Sequence, residues 1–476
     1  MLGNLDEVIQ NNLIKDYELI QIITALTNFD IKPLKFIGLC NDFVAIETKD
    51  PNECYNKQTL IAKKEKVNYV LIDKTIKQSP QRRYISQQST NEYELIHIPS
   101  AKYSLNTQNI TKKFKEYDKK KLIEIFTSIL YNLIDMQNDG SYLGITKDSI
   151  LFKRDGSIFL NEFNFMSQDK IKYLIENRYN DQHLMYLPQE ILQNGFYNSS
   201  SDIYTLGLFF LEILGLQFDN DVAQQLSNSN YQITNYLIHQ DLVNIITQYM
   251  ICQDLQKRAS SKDLFWLFRF SIEDELNISE ICMFIQSNIE INLSKAINDI
   301  QNSSKQLNKQ RLIVEYKKDF DRLINLEHFY QNGCIVTSLQ ETQMQILIIG
   351  NIQSEFENKY IQVNLELELP NTLYPYESPL ITLESRINSI LCNQKTQSLN
   401  IFAVDGWSPA SSIKSSILSL VSLLNTSVQE IILYFYCEDH RNEQNKQLLK
   451  EEMNKLENIN TLLSKYKIEF FQKLSK

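Results

Sequence analysis

The sequence predicts an α+β multidomain fold, and three observations support this prediction. The chain has 476 residues, more than one comfortable hydrophobic core accommodates, so two or three domains are expected. Its 43% hydrophobic and 22% charged residues are typical of a folded soluble protein. Strand-like runs and amphipathic helical patterns occur in both halves of the chain, first as a small sheet followed by helices and later as strands between helices.

Charge and hydropathy exclude several classes of partner. The net charge of -10 repels a phosphate backbone, and the basic run at 112–121 is interrupted by Glu116 and Asp118. We interpret this run as a solvated face and expect no nucleic-acid partner. No apolar stretch reaches the roughly 18 to 20 residues that a bilayer crossing needs, and residues 1–12 carry acidic rather than basic side chains. The sequence therefore predicts a cytoplasmic protein without a membrane partner.

The cysteines give no sign of a metal or redox site. None of the seven forms a C-x-x-C pair, the spacing typical of zinc and dithiol sites. We expect them to be reduced and mostly buried, and we expect neither a metal nor a cofactor. They are Cys40, Cys54, Cys252, Cys282, Cys334, Cys392 and Cys437.

The first half predicts a small sheet followed by a helical region. Helical spacing of apolar residues in the first thirty residues predicts a helical extension. A long helix is predicted over 119–137, because its apolar residues recur on one face. Strand-like runs precede it at 35–48, 59–64, 83–88 and 93–98.

Five short segments follow in a fixed order, and together they make residues 30–270 resemble a protein kinase with two lobes. Ser-Asp-Ile-Tyr-Thr-Leu-Gly at 201–207 is similar to the central buried helix of that family. The segment 142–151 stands where the catalytic loop is expected, 162–164 where Asp-Phe-Gly is expected, 186–190 where Ala-Pro-Glu is expected, and 255–258 near the end of the helical lobe.

The resemblance implies a pseudokinase, because residues that phosphoryl transfer requires are replaced. Gly144 stands in place of the proton-accepting carboxylate, and Ser149 in place of the magnesium-binding asparagine. Glu162 keeps a carboxylate at the other metal position, with one extra methylene. Lys63 is the candidate for the strand lysine that contacts a nucleotide, but no helix glutamate to pair with it is evident. Metal-free nucleotide binding stays open as an alternative.

The same resemblance gives structural roles to the residues that are retained. It implies that Glu190 and Arg258 form a buried ion pair and that Asp202 holds the backbone of the catalytic-loop segment. Loss of one partner from a buried pair costs about 3–5 kcal/mol. We therefore expect the kinase-like half to keep its fold although it lacks the residues for phosphoryl transfer.

The second half predicts a connector and a helix, strand and helix pattern. One or two amphipathic helices are predicted over 271–304, and a further helix over 307–323. A helix is also predicted over 411–424. Between these helices lie four strand-like runs at 334–339, 344–352, 361–369 and 379–384.

The end of the chain predicts a charged helix from about 441 to 476. Its apolar stripe either packs on the chain's own domains or binds a partner helix. The stripe consists of Leu449, Met453, Leu456, Ile459, Leu463, Tyr466 and Phe470.

Two short motifs make residues 305–435 resemble the ubiquitin-conjugating enzymes. Tyr374-Pro375 precedes the fourth strand, and Trp407-Ser408-Pro409-Ala410 precedes the final helix, at a separation that matches the family without a gap. The resemblance implies an α/β meander domain in which Tyr374, Pro375, Trp407 and Pro409 are structural.

The same gapless count places leucines at the two reactive positions. The thioester cysteine of the family falls at Leu399, and the asparagine of its His-Pro-Asn segment falls at Leu391. A thioester carrier needs a thiolate, and its oxyanion needs an amide donor; leucine supplies neither. Cys392 lies seven positions before Leu399, and we interpret it as a structural cysteine.

The sequence therefore predicts a non-enzymatic scaffold that binds other proteins within a larger assembly, cytoskeletal or ciliary in kind. Such a role is favoured because both halves lack the reactive residues of the families that they resemble. One alternative is a regulatory conjugating-enzyme variant that binds ubiquitin or an active conjugating enzyme, and another is a nucleotide-sensing pseudokinase switch. The predicted domains are an N-terminal helical extension at 1–30, a pseudokinase domain at 31–271, a helical connector at 272–304, a conjugating-enzyme-like domain at 305–435 and a C-terminal amphipathic helix at 436–476.

Overall fold

A computed structural model gives the structure of the protein. The strand-like runs at 59–64 and 83–88 and the N-terminal extension lie outside its described residues. Within the described part, none of the helices combines the length and apolar composition that a membrane crossing requires. The described residues are 33–39, 43–48, 94–99, 103–105, 114, 116–137, 142–152, 157–160, 166, 168–177, 183–195, 198–217, 219, 222, 239–272, 274–303, 309–350, 357–369, 372–376, 378–383, 398–399, 408–424, 451 and 456–475.

The chain divides into two compact units, Met1–Glu273 and Asp274–Lys476. Each unit contains both helices and antiparallel sheet, so the α+β prediction is confirmed. The residues predicted as a connector fall inside the second unit from Asp274 onward, where the helix Ile278–Ser287 packs on that unit's sheet and the helix Leu293–Asn302 packs on the next helix along the chain. The predicted limits of the individual domains stay predictions.

The first unit begins with a three-stranded antiparallel sheet in the order β1-β2-β3. These strands are β1 (Pro33–Leu39), β2 (Phe43–Thr48) and β3 (Glu94–Pro99). The single run predicted over 35–48 is wrong, because β1 and β2 pair with each other as a hairpin. Asn41 and Asp42, between the two strands, are residue types that favour turns, and apolar alternation alone does not distinguish a hairpin from one long strand.

A second small sheet and a group of helices complete the first unit. Strands β4 (Tyr103–Ser104), β5 (Ile150–Phe152) and β6 (Ile158–Leu160) pair antiparallel in that order. The described helices are α1 (Lys119–Met136), α2 (Gln168–Glu176), α3 (Gln189–Asn194), α4 (Ser199–Ile213), α5 (Gln240–Tyr249) and α6 (Ser261–Phe270).

Helix α1 forms the centre of this unit, and its prediction over 119–137 is confirmed. The helix begins at Asp118, whose side chain accepts a hydrogen bond from the Lys121 N–H and so caps the first turn. Its apolar face packs on α4 and α6, where Phe126 stacks on Phe210 with a centroid distance of 4.0 Å and meets Phe268 edge-on. Helix α4 is buried on nearly all sides, which positions its first turn inside the unit.

The second unit contains a five-stranded antiparallel sheet in the order β13-β12-β9-β8-β7. Its first four strands along the chain confirm the predicted meander. They are β7 (Cys334–Leu339), β8 (Gln343–Ile349), β9 (Tyr360–Glu366) and β12 (Leu380–Leu383), with β13 (Ser398–Leu399) added at the edge. Along the chain, β9 is followed by a separate hairpin of β10 (Glu368–Leu369) and β11 (Thr372–Leu373), and then by β12.

Helices precede and follow this sheet along the chain. The first of them, α7, covers the edge strand β7, where the Gln286 amide donates to the Val336 carbonyl and accepts from the Val336 N–H, both at 2.7 Å. This contact satisfies backbone groups that an open sheet edge would leave unpaired. The described helices are α7 (Ile278–Ser287), α8 (Leu293–Asn302), α9 (Lys309–Asp319), α10 (Glu327–Tyr330), α11 (Ile413–Leu424) and α12 (Ile459–Leu474).

The C-terminal helix α12 packs on the second unit, as the first of the two interpretations of its apolar stripe predicts. Phe470 meets Phe284 of α7 edge-on at 5.7 Å, and Ile459 and Leu463 are also buried. The prediction of one helix from 441 is wrong at 456–458, where Asn458 bridges to Lys359 and caps α12. Pairing with the sheet requires extended backbone there, which a helical stripe in the sequence does not reveal.

Candidate functional site

The loop at 142–149, in the first unit, is held by the carboxylate of Asp202 on α4. The N–H groups of Leu143, Gly144 and Ile145 donate to this carboxylate at 2.9, 3.0 and 3.4 Å. Asp202 is fully buried, and this burial raises its pKa to about 7, although the backbone donors favour the ionised form. Asp202 therefore fixes the backbone of the loop.

The raised pKa of Asp202 predicts a pH-dependent stability. Because the folded state holds this proton more tightly than the unfolded chain, the contribution of Asp202 is largest below about pH 4 and is lost as the pH rises to about 7. We expect the free energy of unfolding of the wild type to fall across this range relative to the Asp202→Asn variant. Urea unfolding of both proteins at several pH values measures the difference, and parallel pH profiles would contradict the prediction.

Gly144 and Ser149 occupy the positions predicted for a catalytic base and a magnesium ligand. Gly144 adopts a φ of +76°, a backbone conformation that favours glycine. The Ser149 hydroxyl donates to the Thr146 carbonyl at 2.6 Å and accepts from the Thr146 N–H at 3.1 Å. The loop therefore offers no carboxylate at 144, and its serine is engaged in a local turn.

A charged cluster beside this loop was not found by sequence reasoning. Lys147 pairs with Glu212 of α4 at 2.8 Å and donates to the Tyr186 hydroxyl, which itself donates to Glu212 at 3.0 Å. Burial raises the pKa of the Glu212 carboxyl, whereas the Lys147 charge lowers it. The Lys147 and Glu212 charges neutralise each other, the Tyr186 hydroxyl hydrogen-bonds with both, and these contacts tie the loop to α4. These residues are too far apart in sequence for any spacing rule to have paired them.

Glu190 and Arg258 form a bidentate ion pair in the first unit. The Arg258 guanidinium donates to the two carboxylate oxygens of Glu190 at 2.5 and 3.2 Å. It also donates to the carbonyls of Cys252 at 2.7 Å and Ser200 at 3.2 Å, and it lies over the Tyr204 ring. Arg258 thus joins α3, α4 and the segment before α6.

The remaining candidate positions of the first half lie outside the described residues. These are Glu162, at the predicted metal position, and Lys63, the predicted nucleotide contact. Within the described ranges, His, Cys, Asp and Glu side chains form no group of three or more that could hold a metal ion. The kinase-like fold and the roles of its residues therefore stay predictions.

Glu315 of α9 forms the central polar contact of the second unit. It accepts hydrogen bonds from the Tyr374 hydroxyl at 2.8 and 2.9 Å, from the Ile413 N–H at 3.1 Å and from Arg311 Nε at 2.8 Å. Tyr374 is buried and precedes Pro375 through a cis peptide bond. One carboxylate thus joins α9, the Tyr-Pro turn and the start of α11.

A cleft of about 520 Å³ lies between α9 and the start of α11. Arg311 lines this cleft and donates to the carbonyls of Pro409 and Ser411. Pro409 and its neighbours Ser408 and Ala410 are exposed, while Trp407 lies outside the described residues. The cleft is lined by Gln310, Arg311, Val314, Glu315, Lys318, Asp319, Ala410, Ser412 and Lys414.

Sequence reasoning found the Tyr-Pro and Ser-Pro-Ala motifs of this region but missed Glu315 and Arg311. Their spacing of four residues on α9 was the available signal, since such pairs lie on one helix face. It indicates only an ion pair on a helix. Contacts with Tyr374 and Ile413, distant in sequence, give the pair its place in the fold.

Leu399, the residue at the predicted thioester position, lies in strand β13 opposite Ile381. Leu391 and Cys392 lie outside the described residues. The described cysteines of this unit, Cys282 and Cys334, are buried, and burial raises the pKa of both thiols. Neither thiol is therefore suited to form a thiolate nucleophile.

Comparison with known proteins gives one match, which lies within the second unit. A family model described as ubiquitin-conjugating enzyme matches residues 315–454. This match supports the resemblance stated for the second half, and the region is a ubiquitin-conjugating-enzyme-like domain that includes the β7-β8-β9-β12 meander. No curated protein matches the chain.

Proposed function

We propose that this protein is a non-catalytic adaptor whose conjugating-enzyme-like domain binds another protein. The observation that carries the proposal is Leu399, which occupies the position of the thioester cysteine in the gapless count and lies in strand β13, opposite Ile381 of β12. A leucine side chain forms no thioester. Because the matched family is one of enzymes, the lack of activity is the part of the proposal that an experiment must test.

The rim of the α9 cleft supports a binding role. Val314 lines the cleft and is 60% exposed. An exposed apolar side chain that lines a cleft is a candidate contact for a binding partner. Three basic residues line the same cleft, Arg311, Lys318 and Lys414, against two acidic ones, Glu315 and Asp319, and this excess of one positive charge favours a partner that places an acidic residue beside its apolar contact.

The first unit fits this proposal as a second structural module. The Glu190–Arg258 ion pair and the loop held by Asp202 stabilise its fold, while Gly144 provides no carboxylate. We therefore propose a cytoplasmic scaffold built from a pseudokinase and an inactive conjugating-enzyme-like domain, working within a larger assembly of the cytoskeletal or ciliary kind. The nucleotide switch gains no support, since Lys63 and Glu162 lie outside the described residues.

A second candidate function is a regulatory conjugating-enzyme variant that binds ubiquitin or an active conjugating enzyme. The family match at 315–454 favours it over partners of unrelated kinds. It shares the inactive domain with the adaptor proposal and differs in the identity of the partner.

The test of inactivity is a thioester assay on the full chain. The protein is incubated with activating enzyme, ATP and labelled ubiquitin beside an active conjugating enzyme as positive control. We expect no adduct that a thiol reductant removes, because Leu399 offers no thiolate. A reducible adduct on the wild type would overturn the proposal, and its loss in Cys392→Ser would identify the carrier.

The test of binding is a titration of labelled ubiquitin and of an active conjugating enzyme with the full chain. Val314→Asp places a charge in the cleft, whereas Ile468→Asp places one at a similarly exposed position on α12. Binding that the first variant weakens and the second leaves unchanged supports the regulatory candidate and the cleft as its site. Absence of binding to both probes contradicts that candidate.

A further inference from the structure

The C-terminal helix α12 lies beyond the matched region 315–454, and it packs on the second unit through three anchor side chains. These anchors are Ile459, Leu463 and Phe470, with exposed fractions of 2%, 9% and 2%. Phe470 meets Phe284 of α7 edge-on at 5.7 Å. Positions i, i+4 and i+11 lie on one face of a helix, so the three anchors form a single apolar stripe.

The residues at the start of α12 contact the start of β9 through hydrogen bonds. The Tyr360 N–H donates to the Glu457 carbonyl at 3.3 Å, and the Tyr360 hydroxyl donates to the Glu457 carboxylate. The Ile459 N–H donates to the Asn358 carbonyl at 2.9 Å. Between them, Asn458 is extended and caps the first turn of the helix. A short extended contact with an acidic side chain therefore precedes the apolar stripe.

The sheet of the second unit is closed at its β7 edge without α12. Gln286 of α7 satisfies both backbone groups of Val336, and the strands pair with one another. The outer face of α12 exposes Ile468 at 59% and Phe471 at 47%, so the helix packs through its inner face. A segment attached through a few buried side chains separates at a lower free energy than the core beneath it. The attachment of α12 is therefore that of a helix bound to a surface.

We propose that the surface formed by α7 and the start of β9 is a binding site for an amphipathic helix, and that α12 occupies this site as an autoinhibitory segment. The partner is a helix with the features of α12: an acidic residue for the Tyr360 hydroxyl, an N-cap residue, and then two aliphatic anchors and one aromatic anchor at the spacing of 459, 463 and 470. None of these positions lines the α9 cleft, so the inference is independent of the binding proposed there.

The test is a titration of a labelled peptide of residues 456–475 with the full chain. In the wild type the chain's own α12 competes at a high effective concentration, so the peptide should bind weakly. Phe470→Ala in the chain removes an anchor of the competing helix, and the peptide, which keeps its phenylalanine, should then bind about tenfold more tightly or better. Phe471→Ala is the matched control, because this neighbouring phenylalanine is 47% exposed, and its chain should bind the peptide as weakly as the wild type does.

Native-state hydrogen exchange of the Phe470→Ala chain shows whether the helix separates from an intact sheet. We expect exchange to rise over 459–474, while β7, β8 and β9 stay as protected as in the wild type. Leu463→Ala, a smaller loss from the same stripe, keeps the proposal testable if Phe470→Ala does not fold. Three results would overturn the proposal: no tighter peptide binding by either opened chain, equally tight binding by Phe471→Ala, or a loss of protection that spreads equally to the sheet.

Discussion

Replacing Arg258 with methionine is expected to lower the free energy of unfolding of the first unit by about 3–5 kcal/mol. The Arg258 side chain is fully buried and that of Glu190 is 12% exposed, so the variant leaves a carboxylate in a dry environment without its partner. It also removes the donors to the carbonyls of Cys252 and Ser200. Urea unfolding of the full chain, with hydrogen exchange to assign the transition, measures the loss.

Two further variants separate the buried pair from ion pairs in general. Lys172→Met removes an exposed pair with Glu176, where solvent screens the charges at 3.9 Å, and should leave stability unchanged. The double variant Arg258→Met with Glu190→Gln should recover part of the loss, because no buried charge is left alone. If Arg258→Met behaves like Lys172→Met, the pair does not hold the unit together.

Replacing Glu315 with alanine is expected to have the second large effect, a loss of about 3–5 kcal/mol in the second unit. Glu315 is 8% exposed and accepts hydrogen bonds from the Tyr374 hydroxyl and from the Ile413 N–H at the start of α11. Its removal leaves the Tyr374 hydroxyl and the Ile413 N–H without this acceptor and takes away the partner of Arg311. The measurement is the same unfolding experiment, read from peptides of the second unit.

Tyr374→Phe provides the graded comparison for Glu315→Ala. This variant keeps the carboxylate with its other donors and loses one hydrogen bond to a charged group, so a loss of about 1.5–3 kcal/mol is expected. Equal losses in the two variants would indicate that the phenol contact, rather than the shared carboxylate, determines the stability of this region. No change in Glu315→Ala would contradict the role given to Glu315.

The two predictions bear on function because both contacts hold frameworks rather than reacting groups. Glu190 and Arg258 position α3 and α4, and Glu315 pairs with Arg311, which donates to the carbonyl of the exposed Pro409. A protein that binds partners through its surface requires such frameworks to stay rigid, since surface loops recognise partners only when the scaffold below them is fixed. We therefore expect binding by the second unit to decline with Glu315→Ala.

The sequence by itself determined the secondary structure where a periodic pattern was long enough to be unambiguous. Helix α1 and the meander of β7, β8, β9 and β12 follow from apolar spacing, since a helix buries one face every three or four residues and a strand every second residue. The motifs around Tyr374 and Pro409 also carried enough information to indicate the conjugating-enzyme-like domain. These motifs can be recognised without knowledge of the fold because they consist of particular residue types at fixed spacings.

Only the tertiary structure decided which distant residues meet. The contact of Glu315 with Tyr374 and Ile413, the close approach of Met166 to Gly144, and the extended backbone at Asn458 each join positions that no local pattern relates. A chain records its local preferences residue by residue, whereas a contact between distant residues depends on how all the intervening elements pack. For this reason the sequence indicates only that Gly144 lacks the carboxylate of a base, whereas the structure shows that the Met166 backbone occupies the space that a side chain at 144 would need.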